Sequence, residues 1–401
     1  MTADPLGAAL SVLDGGAVDP GGVLELRPGR LLVWHPDAVA AIFLADRWMR
    51  HGGSRTLGPL LGPRSLLWAD GARHAGYRRV LAPALHGRGL TTRLPVVAET
   101  VRAAVDALVP GALVRLTRWT GAVTLRVVGR LVFGHGGPAD DALLARFARR
   151  IDRALGAPSR CRDPRAHRAE TWTALDRALL RRARAAVTEA PDSLAARLAT
   201  LGPPDDAELR DQVVSLLFAG HETTASATAW TLCWLDRDQR LRRDVLDELR
   251  GTSDDGADPA RVPLLHAVVQ ESLRLTPPAL VAGKRILRAG GELLGRPLPA
   301  GTVLTPCVYL AHRHPGGLAD PGRFDPTRFL GARVPAGHYL PFGGGVRRCL
   351  GRELAMTEIR VIVAAVLRRA GLRCVNPEVV VPHRRGPVLA PSPAVTMRVA
   401  P

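Results

Sequence analysis

A chain of 401 residues with 55 Lys and Arg against 37 Asp and Glu carries a formal charge of +18, and its 46% apolar content is enough for a sizeable core. Nearly all the cations are arginine, with Lys284 the only lysine, and no basic block is interleaved with aromatics, which argues against nucleic-acid binding. Five cysteines, Cys161, Cys233, Cys307, Cys349 and Cys374, are odd in number and lack CxxC spacing, which argues against a disulfide framework or a zinc site. Aromatics are only 4%, so Leu, Val and Ala must fill the core and alanine-rich helices are implied. No stretch reads as a linker, and one large domain over residues 1–401 is expected. Residues 1–18 show neither a positive n-region nor a long apolar run. The most apolar helical stretch, residues 213–235, has polar residues at its centre. A cytoplasmic protein without a signal peptide or membrane span is therefore expected.

In chain order, residues 23–26 and 31–34 read as a hairpin around Pro28 and Gly29, and Pro36 and Asp37 open a helix to about Leu44. Residues 46–67 are rich in Gly, Pro and Arg with poor periodicity, which predicts a long surface loop. Residues 68–85 read as a helix with His74 and Arg78 four positions apart on one face; alone, that pair reads as a solvated basic face. Residues 94–187 are mostly helical in pattern, with breaks near Pro110, 134–138 and 158–164, and carry no catalytic constellation.

A long helix is predicted over residues 206–235, after Pro203 and Pro204, with Asp205 and Glu208 as a capping box. Its centre, Phe218, Ala219, Gly220, His221, Glu222, Thr223 and Thr224, breaks the apolar pattern, as expected at a functional site. Threonines bonding back to carbonyls beside a surface glutamate are the plain structural alternative. His221 is expected to face outward, and Ala225 stands where a zinc-protease HExxH would need its second histidine. Glu271 and Arg274 lie one turn apart on a helix over residues 268–275, which by itself signifies only a weak ion pair. Strand-like runs follow at residues 280–287, with Arg285, and 303–307; His312 and His314 read as surface residues of a proline-rich loop. The last helix, residues 350–369, turns Leu354, Ile362, Val363, Val366 and Leu367 into the core with arginines opposite.

Before that helix run Leu340, Pro341, Phe342, Gly343, Gly344, Gly345, Val346, Arg347, Arg348, Cys349, Leu350 and Gly351. A thiol at a helix mouth, after three glycines and two arginines, sits where positive potential favours thiolate, and it reads as a metal ligand. Gly351 would let a flat group approach without a Cβ in the way. The alternative is a tight turn that happens to hold a buried cysteine.

Phe342, Gly345, Arg347, Cys349 and Gly351 together resemble the haem-binding loop of the cytochrome P450 family. The resemblance implies a mainly α fold, a single large helical domain with a small β-rich region, and haem b (iron protoporphyrin IX) ligated by Cys349, with Phe342, Gly343, Arg347 and Gly351 around it. His74, Arg78, Arg285 and Arg347 carry over as partners of the haem propionates, although Gly71, Ala72 and Arg73 replace the family's usual Pro-Pro-Glu after Asp70. Glu222 and Thr223 match the family's acid and alcohol pair, which delivers the two protons that dioxygen cleavage requires. Glu271 and Arg274 match its Glu-x-x-Arg motif, with Arg328 as third member of a buried structural network. Leu57, Leu60, Phe218, Ala219, Leu280 and Val281 fall at substrate-pocket positions, with Trp48 and Met49 as further apolar contacts; residues 151–174 fall at the lid, and the turn near 385–391 at a substrate-touching loop.

The function so implied is a haem-thiolate monooxygenase that activates O2 to hydroxylate or epoxidise a hydrophobic small molecule in bacterial secondary metabolism. Electrons would come from a ferredoxin and its reductase, docking where Arg347, Arg348 and Arg352 add positive charge, and a monomer is expected. Two alternatives use the same ligand: a peroxide-driven or non-oxygenating enzyme of the same fold, and a non-enzymatic haem sensor.

Overall fold

The computed structural model describes residues 10, 18–52, 57–134, 136–156, 173–202, 205–252, 257–258, 260–331, 334–335 and 337–400. The fold is mainly α, and the chain divides into two compact units, Met1–Gly52 with Gln270–Cys349 and Gly53–Val269 with Leu350–Pro401.

The first unit holds most of the sheet. Strands Val23–Arg27 and Arg30–Val33 form the expected hairpin, with Gly29 in the left-handed region at φ +69° and its N–H capped by Glu25 at 3.0 Å. Arg30–Val33 continues parallel to Val303–Pro306, which pairs antiparallel with Arg285–Leu287, and that strand with Met49–His51. In this register His51 stands opposite Arg285. The helix Pro36–Leu44 buries Ala38, Val39 and Ile42 against Leu31, Val33, Met49 and Leu304. Each of these Val, Ile, Leu and Met side chains contributes roughly 1.5–3 kcal/mol on burial, and Ala38 less.

The second unit is helical. Its axis is the unbroken helix Asp206–Arg237, capped by Asp205, whose carboxylate accepts the Glu208 N–H at 2.8 Å. Only this half of the capping box forms, because the Glu208 side chain turns instead to Tyr77 and to Arg73 at 3.2 Å. Gly220 is not a break: a Cβ there would lie 2.7 Å from Val128 of the neighbouring helix Leu116–Phe133, so the glycine permits close helix packing. The C-terminal hairpin Pro382–Arg385 and Val388–Pro391 docks on the long helix through the Ser226 hydroxyl, which donates to the Leu389 carbonyl at 2.5 Å.

Several expectations are corrected. The surface loop over 46–67 resolves into the turn Asp46–Trp48, the strand Met49–His51 and the helix Gly58–Leu61, with Leu57, Leu60, Leu61 and Ser65 buried; residues 53–56 lie outside the described residues. Its second half is stitched to the long helix, since Gln212 bonds Leu66 N–H at 2.8 Å and Arg64 C=O at 2.6 Å and Ser65 meets Ser215 at 2.6 Å. The helix expected from 68 begins at Gly71, and the last helix begins at Arg352. The proposed lid lies outside the described residues from 157 to 172, as do residues 1–9 and 11–17, Cys161, Pro203 and Pro204.

Candidate active site

In the first unit the cysteine loop is built on its own backbone. The Cys349 N–H donates to the Phe342 carbonyl at 2.9 Å, and Gly343 and Gly345 adopt φ of +63° and +65°. Gly344 packs so closely on Phe43 that a Cβ would overlap its ring. The fold so leaves Cys349 exposed at the end of the loop. Phe342, Gly343 and Arg347 are half-buried and Arg348 is exposed.

Glu271 and Arg274, at the end of the helix Pro263–Leu275, are fully buried and paired at 2.6 and 2.8 Å. Every guanidinium N–H of Arg274 has a partner, the rest being the carbonyls of His312, Pro321 and Arg323 at 2.7–3.0 Å. Arg328 reaches Glu271 at 3.5 Å and donates to the carbonyls of Ala319 and Asp320. The three charges thus come together, with the Asp325 N–H also on Glu271 at 2.8 Å.

His312 was expected at the surface and is instead buried, with Nδ1 on the Arg274 carbonyl at 2.8 Å and Nε2 on the Leu340 N–H at 2.7 Å. His314 is also buried, against the Pro20 carbonyl. The sequence concealed both because their partners are backbone atoms distant in the chain. Arg285 is buried and bonded to Asp46 at 2.8 Å and to the carbonyls of Ala282 and Gly283. Leu280 is buried, Val281 pairs with Cys307 in an isolated bridge, Met49 lies in the core, and Trp48 is exposed.

In the second unit the long helix is buried on every side along residues 209–233 except at Ala219, Gly220 and Thr223. Ala219 and Thr223 are four apart, hence on one face, and the Thr223 hydroxyl donates to the Ala219 carbonyl at 3.0 Å. Phe218 is buried. Glu222 turns away from that face into a small cleft lined by Thr117, Asp152, His221, Ser226 and Arg385. The Arg385 guanidinium lies between the exposed Asp152 carboxylate and the buried Glu222, 3.5 Å from the latter. Burial raises the Glu222 pKa; Arg385 opposes that effect and Asp152 adds to it.

His221, expected to face outward, is buried beside Gly121, with Nδ1 3.3 Å from Glu222. Burial, with Arg385 adding to it, pushes the imidazole pKa down to about 3, so the ring is neutral. His74 is buried and Arg78 half-buried on one face of the helix Gly71–Leu85. That helix is fixed to the long helix through Tyr77, whose hydroxyl accepts from Gln212 at 3.1 Å. Gly351 caps the helix Arg352–Arg369, and a Cβ built there would meet nothing within 4 Å. Leu354, Ile362, Val363, Val366 and Leu367 are buried as expected, but Arg360, on the supposed solvent side, is buried too and bonds His266 and the Ala257 carbonyl.

Among the described residues no cluster of three or more His, Cys, Asp or Glu could hold a metal ion, and no helix is long and apolar enough to cross a membrane. The exposed thiol on a glycine loop and the open space at Gly351 each fit a flat, thiolate-ligated group.

The mainly α fold, with an exposed thiol on a glycine loop, is compatible with the expected haem-thiolate class. The family described as cytochrome P450 matches residues 179–396. Cytochrome P450 135A1 of Mycobacterium tuberculosis is 34% identical over 361 residues, 85% of this chain and 78% of that protein. Cyclooctat-9-en-7-ol 5-monooxygenase of Streptomyces melanosporofaciens is 33% identical over 383 residues, 88% of this chain and 83% of the relative. The solved structure of retinoic acid-bound cyanobacterial CYP120A1 superposes with a TM-score of 0.81 at 24% identity, covering 92% of this chain and 88% of that one. The chain belongs to the cytochrome P450 family. It is a monooxygenase, and membership brings with it a haem cofactor, a redox partner and hydrophobic substrates.

Proposed function

We propose that this P450 oxidises a hydrophobic small molecule of bacterial secondary metabolism in a single haem b domain, with electrons from a ferredoxin and its reductase. The observation that carries the assignment of residues is the long helix, buried along residues 209–233 except at Ala219, Gly220 and Thr223, of which Ala219 and Thr223 share one face. Such a face is left open for a bound group, and it carries the alcohol of the expected acid and alcohol pair.

When bound, haem supplies the dioxygen reduction chemistry. Cys349 holds it as thiolate, and Phe342, Gly343 and Gly351 leave room for its plane. His74, Arg78, Arg285 and Arg347 supply donors for its carboxylates. Glu222 takes up protons from the cleft beside Arg385, and the Thr223 hydroxyl holds one at the open face. Glu271, Arg274 and Arg328 fix the core around the loop. Leu57, Leu60, Phe218, Ala219, Leu280 and Val281 are the apolar positions offered to substrate. Arg348 and Arg352 are exposed and Arg347 is half-buried, and positive charge so close to the cysteine in the chain suits an acidic ferredoxin. The Streptomyces relative, named for oxidation of cyclooctat-9-en-7-ol, supports an apolar secondary metabolite as substrate.

The test begins with a spectral titration of a small-molecule panel, in which a substrate moves the haem band. With that substrate, Thr223→Ala is expected to keep haem and divert reducing equivalents to hydrogen peroxide. Unchanged coupling would remove Thr223 from its role. Turnover with peroxide and no reductase would favour the peroxide-driven alternative instead.

A further inference from the structure

Asp46 carries no motif, yet it is fully buried and meets three donors from separate parts of its unit. Its Oδ1 accepts from Arg285 Nε and His51 Nε2, each at 2.8 Å, and its Oδ2 accepts from the Arg347 backbone N–H at 3.4 Å. Gly345 approaches it so closely that a Cβ would overlap the carboxylate. The convergence follows from strand register, which sets His51 opposite Arg285. It follows also from Phe43, whose ring lies 5.4 Å from the Arg285 guanidinium while packing on Gly344. Burial works to raise the Asp46 pKa, but His51 and Arg285 outweigh it and hold the carboxyl below its ordinary range.

We propose that Asp46 is a positioning residue of the haem site, which clamps the cysteine loop two residues before Cys349 and cancels the charge of Arg285. The proposal rests on Cys349 being the haem ligand. A carboxylate held in a poorly screened interior acts at range on any charge change nearby, and reduction of ferric to ferrous iron adds one electron. Asp46 therefore favours the ferric state, Arg285 opposes it, and the pair together is close to neutral. The Arg347 contact adds a mechanical role, since it fixes the turn that Gly343 and Gly345 make.

The test uses the holoenzyme with Asp46→Asn, which is nearly isosteric, Arg285→Gln, which removes the charge with a shorter side chain, and the double variant. Three properties are measured: the reduced carbon monoxide spectrum, the ferric/ferrous midpoint potential by spectroelectrochemistry, and hydrogen exchange of the peptide spanning residues 343–349. Asp46→Asn is expected to keep the thiolate-type band, shift the midpoint positive and speed exchange in the loop. Arg285→Gln shifts the midpoint negative, and the double variant returns it close to wild type. A merely structural carboxylate leaves the midpoint where it was, so an unmoved midpoint in Asp46→Asn overturns the proposal. If Asp46→Asn does not fold, the double variant decides: recovery of a haem-loaded protein with the wild-type midpoint supports charge cancellation, and failure to recover overturns it. A wild type without the thiolate-type band would sink the ligand assignment instead. Loop exchange in the haem-free protein would then decide whether Asp46 holds the loop, unchanged exchange overturning the clamp.

Discussion

His312 receives the Leu340 N–H on Nε2 at 2.7 Å, at the start of the cysteine loop, while its Nδ1 lies 2.8 Å from the Arg274 carbonyl. The two bonds require opposite roles of the two ring nitrogens, so the tautomer is fixed with the proton on Nδ1. One imidazole thereby links the buried Glu271 and Arg274 pair to the loop.

That arrangement sets a pH dependence. A proton added to His312 would land on Nε2, which already accepts a hydrogen bond, and burial pushes its pKa down to about 3. In the unfolded chain the ring titrates near about 6.5. The folded state thus binds fewer protons between those values, so this contribution to stability is complete above the unfolded pKa and declines as the pH falls through the window, by about 1.4 kcal/mol per pH unit. His221 and His266, depressed chiefly by burial to about 3 and about 4, add losses of the same sign. The urea midpoint is expected to fall on acidification from about pH 6.5 to about pH 4.5, with a shallower fall in His312→Gln. Equal slopes in the two proteins would remove His312 from the effect.

Two glycines of the same sequence motif differ in what they do. Gly345 sits at φ +65° against Asp46, so Gly345→Ala combines backbone strain with overlap and should cost more than about 2 kcal/mol in a denaturation measurement. Gly351 has φ −91° and open space where its Cβ would stand. Gly351→Ala is therefore expected to leave haem-free stability within about 0.5 kcal/mol of wild type and to reduce haem retention. Equal haem retention would mean that no flat group approaches Gly351.

Arg385 divides its guanidinium between Asp152 and Glu222. Asp152→Asn removes a like charge and lets Arg385 settle on Glu222, so Glu222 should ionise more readily; Arg385→Gln should keep it protonated to higher pH. The infrared band of the protonated carboxyl, assigned by its loss in Glu222→Gln and followed against pH, reads both shifts. No movement in either variant would mean that the three groups titrate independently.

The sequence was legible where a motif is local. The long helix and the hairpin around Gly29 follow from neighbouring residues and their period, and the short runs around Cys349 and around Glu222 and Thr223 are the ones that carry the family resemblance. Asp46, His312 and Arg385 did not, since each takes its meaning from a partner far away in the chain that no periodicity announces. His221 was misread for a related reason. A polar residue on an amphipathic helix belongs outside, but this helix is covered nearly all round, and Gly121 opens the space into which the imidazole fits. The loop over 46–67 was misread because its Gly and Pro content, a turn signal, here serves close packing: Gly62 at φ +84° lies against Asp211.

Haem ligation by Cys349 is tested most directly by the reduced carbon monoxide complex of the wild type and of Cys349→Ala. The thiolate-type band is expected in the wild type and absent from the variant. Its persistence in Cys349→Ala would contradict the ligand assignment and the site built on it.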